Sequence, residues 1–164
     1  MLRALAGAAS SDANRDGFER LALADGPAVL RFQQMPDDRL FPTLHGAYAG
    51  QPGLWRAMID RHVFFWADEA RLAGFLKATR RERQRTEPGA PDPVVLRFDT
   101  ARLLAAHPGA LYTTLNSGST AGPYYARTRR DERTFRPVAE YRAGPVAEVA
   151  IPSAVALESA VVLG

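Results

Sequence analysis

"PVAEVAIP", residues 145–152, reads as a strand bounded by two prolines, with a carboxylate in its middle. Strict alternation places Val146, Glu148 and Ala150 on one face and Ala147, Val149 and Ile151 on the other. A carboxylate between two small apolar neighbours on one strand face is costly unless it is paired or functional. It either faces water or an arginine such as Arg97, or it does chemistry. The rest of the chain decides what this strand is set among.

Upstream, "SSDANRDGFERLALADG" has the form of a cap followed by a short helix, with Phe18, Leu21 and Leu23 as its apolar side. "PAVLRFQQMP" predicts a strand between Pro27 and Pro36. Residues 37–61 offer two helical pieces, broken by Pro42 and by the turn "AGQPG"; Leu54, Met58 and Ile59, with Trp55 beside them, stripe the second. "HVFFW" (62–66) is a continuous bulky run and predicts a buried strand. "ADEARLAGFLKATRRERQR" is the clearest helix, with Asp68 and Glu69 at its positive end and arginines crowding its negative end. After the proline-rich loop "TEPGAPDP" come a strand "VVLRFDT", a short helix "ARLLAAH" capped by Asp99 or Thr100, and a strand "ALYTTL". That strand delivers the chain into "NSGSTAG" (116–122), a loop that approaches a ligand or turns a corner. "PYYARTRRDERTFRPVAEY" has no clean period, and "ALESAVVLG" is a short helix or a final strand. The sum is a single α+β domain over residues 1–164.

A chain of 164 residues is long enough to bury a core. No apolar stretch approaches the ~20 residues that span a bilayer, so no membrane contact is expected. The apolar run at the start is too short for a signal peptide, which predicts a cytoplasmic protein. Zero cysteines exclude disulfides, thiolate metal sites and cysteine nucleophiles. His45, His62 and His107 are scattered, so no metal site is expected. Among 21 basic residues only Lys77 is a lysine. Arginine's planar fork suits phosphate and carboxylate, although an Ala-, Arg-, Gly- and Pro-heavy composition also follows from GC-rich coding. A net charge of +3 does not by itself require a nucleic-acid partner.

Familiar motifs are missing: the chain has no G-x-x-x-x-G-K-[ST] and no G-x-G-x-x-G opening a helix. "GSTAG" is not a nucleophile elbow, because Ser119 directly follows its first glycine. Arg31 alternates with Leu30 and Phe32, and either binds a pyrophosphate or sits on the surface. The clusters "RRERQR" (80–85) and "RTRRDER" (127–133) either track a nucleic-acid backbone or form solvated faces. Tyr124 and Tyr125 stack on bases or cover the core.

From about residue 28 onward, "VLRFQQMP", "HVFFW", "VVLRFDTARLLAAH", "LNSGST", "TFRPVAEY" and "VAEVAIPSAV" resemble, in order and spacing, a bacterial domain family of unknown function. The last three also resemble the DarT-type ADP-ribosyltransferases, toxins that use NAD to modify bases in DNA. That resemblance implies an ADP-ribosyltransferase-like split sheet with short helices, NAD as the substrate, and no metal. It implies Glu148 as the catalytic residue and Asn116 and Ser117 in the loop against NAD. Arg31 would grip the NAD phosphates, and Phe64 and Phe65 would line or brace the nicotinamide pocket. Tyr124, Arg127, Arg129 and Arg130 would face a nucleic-acid target. The early His-x-Thr-like strand of those enzymes has no counterpart, since no histidine precedes His45; residues 1–27 are expected to be a partial or replaced N-terminal segment. The alternative is a catalytically inactive module that holds an anionic partner with surface arginines.

Overall fold

The strand foreseen at 145–152 lies inside a sheet. In the computed structural model, which describes residues 18–23, 26–31, 35–86, 94–120, 125–152, 154–156 and 160–163, it runs as Glu148–Pro152. We number the strands in chain order: β1 Phe18–Leu23, β2 Gly26–Arg31, β3 His62–Trp66, β4 Val95–Phe98, β5 Leu111–Thr113, β6 Arg136–Pro137, β7 Glu148–Pro152 and β8 Ala160–Leu163. β7 sits between β3 and β5 in a four-stranded antiparallel sheet of order β3-β7-β5-β6. The register sets Trp66 and Thr113 on either side of Glu148, Phe65 and Tyr112 beside Val149, and Phe64 and Leu111 beside Ala150. Cross-strand partners share a face, so the alternation read from β7 sorts its neighbours as well.

Each face has its own core. On the Glu148–Ala150 face, Phe64 packs against Met35, Leu40, Leu44, Trp55 and Ile59. These come from α1 (Asp37–Leu40), the short 3-10 turns Phe41–Thr43 and Gly46–Tyr48 and their flanks, and α2 (Pro52–Asp60). On the opposite face, Ile151 packs with Leu103 and Ala110, joined by Phe65, Phe98 and Val149. Leu103 belongs to α4 (Thr100–Ala106), whose N-cap is Asp99: its side chain accepts from the Arg102 N–H at 2.8 Å. α3 (Glu69–Thr86) begins where β3 ends, and the Asp68 carboxylate accepts from the Ala70 N–H at 2.7 Å and the Arg71 N–H at 3.2 Å. The chain is thus a small α+β domain with short helices around an antiparallel sheet. No helix among the described residues is long and apolar enough to cross a membrane.

Three expectations change and one open choice is settled. The segment foreseen as an N-terminal helix is β1, paired with β2 from Phe18 opposite Arg31 to Leu23 opposite Gly26. A helix this short is marginal alone, whereas an adjacent strand offers a partner to the main chain. "HVFFW" is a strand but only half-buried throughout, because β3 lies at the edge of its sheet. On α2 the buried residues are Trp55, Arg56 and Ile59, and Leu54 of the foreseen stripe is 48 % exposed. The open choice for "ALESAVVLG" resolves as β8, antiparallel to β4. A lone strand end satisfies its backbone only by finding such a partner. The proline-rich loop at 87–93 lies outside the described residues.

Ile151 is fully buried in the second core. Ile151→Ala should therefore destabilise the fold by roughly 2–5 kcal/mol, while Leu54→Ala should change stability by less than about 0.5 kcal/mol. Urea denaturation followed by circular dichroism checks both, and comparable losses for the two would show that the cores are assigned wrongly.

Candidate functional site

The first residue of β7 is where the two halves of the polar interior meet. β5 ends at Thr113, whose carbonyl accepts from the Ala147 N–H at 2.8 Å, so the chain leaving β5 passes close over the start of β7. It then makes a tight turn, Asn116 to Ser119, in which the Ser119 N–H donates to the Asn116 carbonyl at 3.4 Å. The turn presents Ser117 to Glu148. The Ser117 N–H and hydroxyl both donate to Glu148 Oε2, at 3.1 and 2.6 Å. Both side chains are buried, with Glu148 5 % exposed and Ser117 2 %.

Among the described residues one carboxylate oxygen is engaged, Oε2. Oε1 of Glu148 has no hydrogen-bond partner among the described residues. The carboxylate is held through one edge, by Ser117.

Behind the loop lies Arg130, 1 % exposed. Its guanidinium reaches three acceptors: Ser117 O from Nε at 3.3 Å, Thr43 Oγ1 from Nη1 at 3.0 Å, and Ser119 O from Nη2 at 2.5 Å. Its backbone is tied as firmly. The Arg130 N–H donates to Thr43 O, and the His45 N–H donates to Arg130 O, both at 2.8 Å, which makes a parallel bridge between Leu44 and Arg130. Thr43 in turn donates its hydroxyl to Leu40 O at 2.7 Å, locking the acceptor in place.

Burial sets the electrostatics. Desolvation pushes the Glu148 carboxyl above its usual range. The two Ser117 hydrogen bonds and the charges of Arg71 and Arg130 act in the opposite direction and do not cancel it. Burial lowers the Arg130 guanidinium, and the Glu148 charge holds it up. Arg71, in the first turn of α3, is 41 % exposed at its side chain and pairs with Asp68 at 3.3 Å. Its charge acts on Glu148 ahead of that of Arg130. Such a carboxylate can accept a proton or stabilise a nearby cation through its other oxygen.

Of the residues singled out in the sequence, the structure brings together Glu148 and Ser117, with Asn116 half-buried next to them. Phe64 shares a sheet face with Glu148, but its ring lies against Phe135, centroids 6.0 Å apart. Phe65 points to the other face, edge-on to Phe98 at 5.1 Å, so the two phenylalanines cannot line one pocket. Adjacent strand residues must diverge. The aromatic residue opposite Glu148 is Trp66. Arg130, expected to face a nucleic-acid backbone, is instead consumed inside the domain; a buried guanidinium must spend its donors on internal acceptors. Arg127 and Arg129 are exposed, and Arg129 pairs with Asp131 at 2.7 Å. Arg31 closes β2, and its side chain, like Tyr124, lies outside what the structure describes. Arg97, the expected structural partner of Glu148, pairs instead with Glu69 at 3.0 Å. Sequence inspection missed Thr43, Ser119 and Arg71. Thr43 and Ser119 carry no spacing signal, and Arg71 was legible only as one of the helix's many arginines. Among the described residues no group of three or more histidine or acidic side chains is placed to hold a metal ion.

The order of these segments matches one family of proteins over residues 3–162. The chain belongs to DUF7002, a family of unknown function. No curated protein and no solved structure matches it.

The raised carboxyl has a consequence for stability. A carboxyl whose folded pKa lies above its ordinary value of 4.5 favours the folded state while neutral, fully so below that value. The contribution is lost as pH rises through the folded pKa. Glu148→Gln, neutral at every pH, should therefore melt higher than the parent protein at about pH 8, with the gap closing towards about pH 4. Thermal melts across that range test it; a pH-independent difference would mean that Glu148 is not desolvated.

Proposed function

We propose that this domain transfers ADP-ribose from NAD to an acceptor, a nucleic-acid base or a protein side chain. The observation that carries the proposal is the state of Glu148: buried, held through Oε2 by Ser117, and with no hydrogen-bond partner at Oε1 among the described residues. It also draws on the DarT-type order of an asparagine-bearing loop followed by an apolar-Ala-Glu-apolar strand. On this reading the β3-β7-β5-β6 sheet belongs to an ADP-ribosyltransferase-like split sheet.

In the reaction, the bond between the nicotinamide nitrogen and C1′ of the ribose breaks. Its electron pair leaves with nicotinamide, whose ring loses its positive charge. C1′ then carries oxocarbenium character, as in glycoside cleavage. The negative edge of Glu148 stabilises that charge and orients the ribose hydroxyls. The acceptor's lone pair forms the new bond to C1′, and its proton passes to Oε1. Ser117 keeps the carboxylate from rotating away, and Asn116 lines the same loop. Arg31 is assigned to the pyrophosphate, which its planar fork can hold bidentately. Phe64 and Trp66, on the Glu148 face of β3, border the nicotinamide side.

Incubation with NAD labelled in its adenylate phosphate, together with DNA, RNA and cell lysate, should transfer label and release nicotinamide. Glu148→Gln should lower that rate by about 100-fold or more. Neither transfer nor release in any mixture would remove the proposal.

A second reading, an anion-binding module without catalysis, is favoured by the exposure of Arg127, Arg129, Arg133 and Arg136 in the segment after the loop. Here Arg127→Glu with Arg129→Glu should weaken binding to single-stranded nucleic acid. The slope of log affinity against log salt should shrink by about one for each phosphate that is no longer neutralised. A slope unchanged by the pair of substitutions would argue for the enzyme reading over this one.

A further inference from the structure

The arginine cluster at 127–133 contains one member that does not behave as a surface residue, and nothing in the reaction scheme above uses it. Arg130 is a buried charge with no carboxylate in direct contact among the described residues. Its counter-charge is Glu148, and Ser117 stands between them, donating to the carboxylate from its N–H and hydroxyl while accepting the guanidinium at its carbonyl. A direct Arg–Glu fork would occupy both carboxylate oxygens and suppress their basicity. The interposed serine avoids this. The guanidinium is near enough to act on the buried charge, yet Oε1 has no hydrogen-bond partner among the described residues.

We propose that Arg130 is a positioning residue: by clamping the carbonyls of Ser117 and Ser119 it fixes the loop that orients Glu148, and it supplies the balancing charge without itself taking up the carboxylate. This deepens the reading of Glu148 as the reactive carboxylate and rests on it for its catalytic consequence. The geometry needs a fork. Nε serves Ser117 and Nη2 serves Ser119, while Nη1 is anchored by Thr43. A lysine ammonium carries the charge but cannot reach three acceptors in those fixed directions. Charge and clamp are therefore separable by mutation. The charged groups acting on Glu148 are Arg71, from α3, and then Arg130. Arg71 remains in every variant and serves as an internal reference.

The test compares the intact protein with Arg130→Lys, Arg130→Gln and Thr43→Val. Two readouts are followed: the Glu148 titration by carboxylate-carbon NMR, assigned with Glu148→Gln, and amide hydrogen exchange at Ser117. Arg130→Gln should raise the Glu148 pKa and speed Ser117 exchange by about tenfold or more. Arg130→Lys should leave the titration near that of the parent protein while Ser117 exchange still accelerates. Thr43→Val, which removes one anchor and keeps the charge, should accelerate exchange more mildly; it carries the test if the glutamine variant does not fold. Where the parent protein releases nicotinamide, the lysine variant should lose kcat by about tenfold with KM within about twofold. Unchanged Ser117 exchange in both the lysine and valine variants overturns the clamp, and an unchanged titration in a folded glutamine variant overturns the charge role. If the parent protein releases no nicotinamide, the transferase reading falls, while the two NMR measurements still decide the role of Arg130.

Discussion

A buried carboxylate and a buried guanidinium share one serine, and most of the domain is arranged so that they can. Glu148 occupies the first position of an inner strand, Arg130 a bridge to the segment after α1, and Ser117 the turn between them. Each ion is costly in a protein interior, where desolvation disfavours the charged form. Joining them through a peptide segment, with its N–H and hydroxyl on one side and its carbonyl on the other, spreads each charge over fixed dipoles. The 116–120 loop gains a defined shape from a sequence with little intrinsic preference for one.

The arrangement also links the two cores. Thr43, which anchors Arg130, follows shortly after Leu40 of the first core and donates its hydroxyl back to the Leu40 carbonyl. Glu148 lies three residues before Ile151 of the second core, on the same strand but the opposite face. Loosening the polar chain would therefore disturb the segment that covers one face of the sheet. This coupling explains why a raised carboxyl and a buried arginine coexist in so small a domain. Sites that keep an ion in an unfavourable state must be over-determined by their surroundings.

The match to DUF7002 extends over nearly the whole chain and carries no activity with it. Function therefore has to be argued from the site. Among the described residues Glu148 is the buried carboxylate, and it is held through one oxygen by Ser117. A structural carboxylate gains most when both oxygens are satisfied. Arg71 at the start of α3 gives the neighbourhood of this desolvated acid a second, partly exposed positive group.

Some of this was written in the sequence by itself. Alternation in "VAEVAI" determined the strand and its two faces, and told which residues would share the Glu148 side, because side-chain direction in a strand has a fixed period. The dipole-matched charges of α3 and the Asp99 cap of α4 are likewise local signals with local causes. The tertiary structure decided what depends on contact across distance. Phe18–Leu23 became a strand because β2 lies beside it, and "HVFFW" is half-buried because its sheet ends there. Arg130 looks the same as Arg129 in sequence, yet one is buried and the other in water. That difference follows from a parallel bridge to a segment more than eighty residues away. Local pattern can specify direction and propensity; which charge is taken out of water is decided only when distant segments close over it.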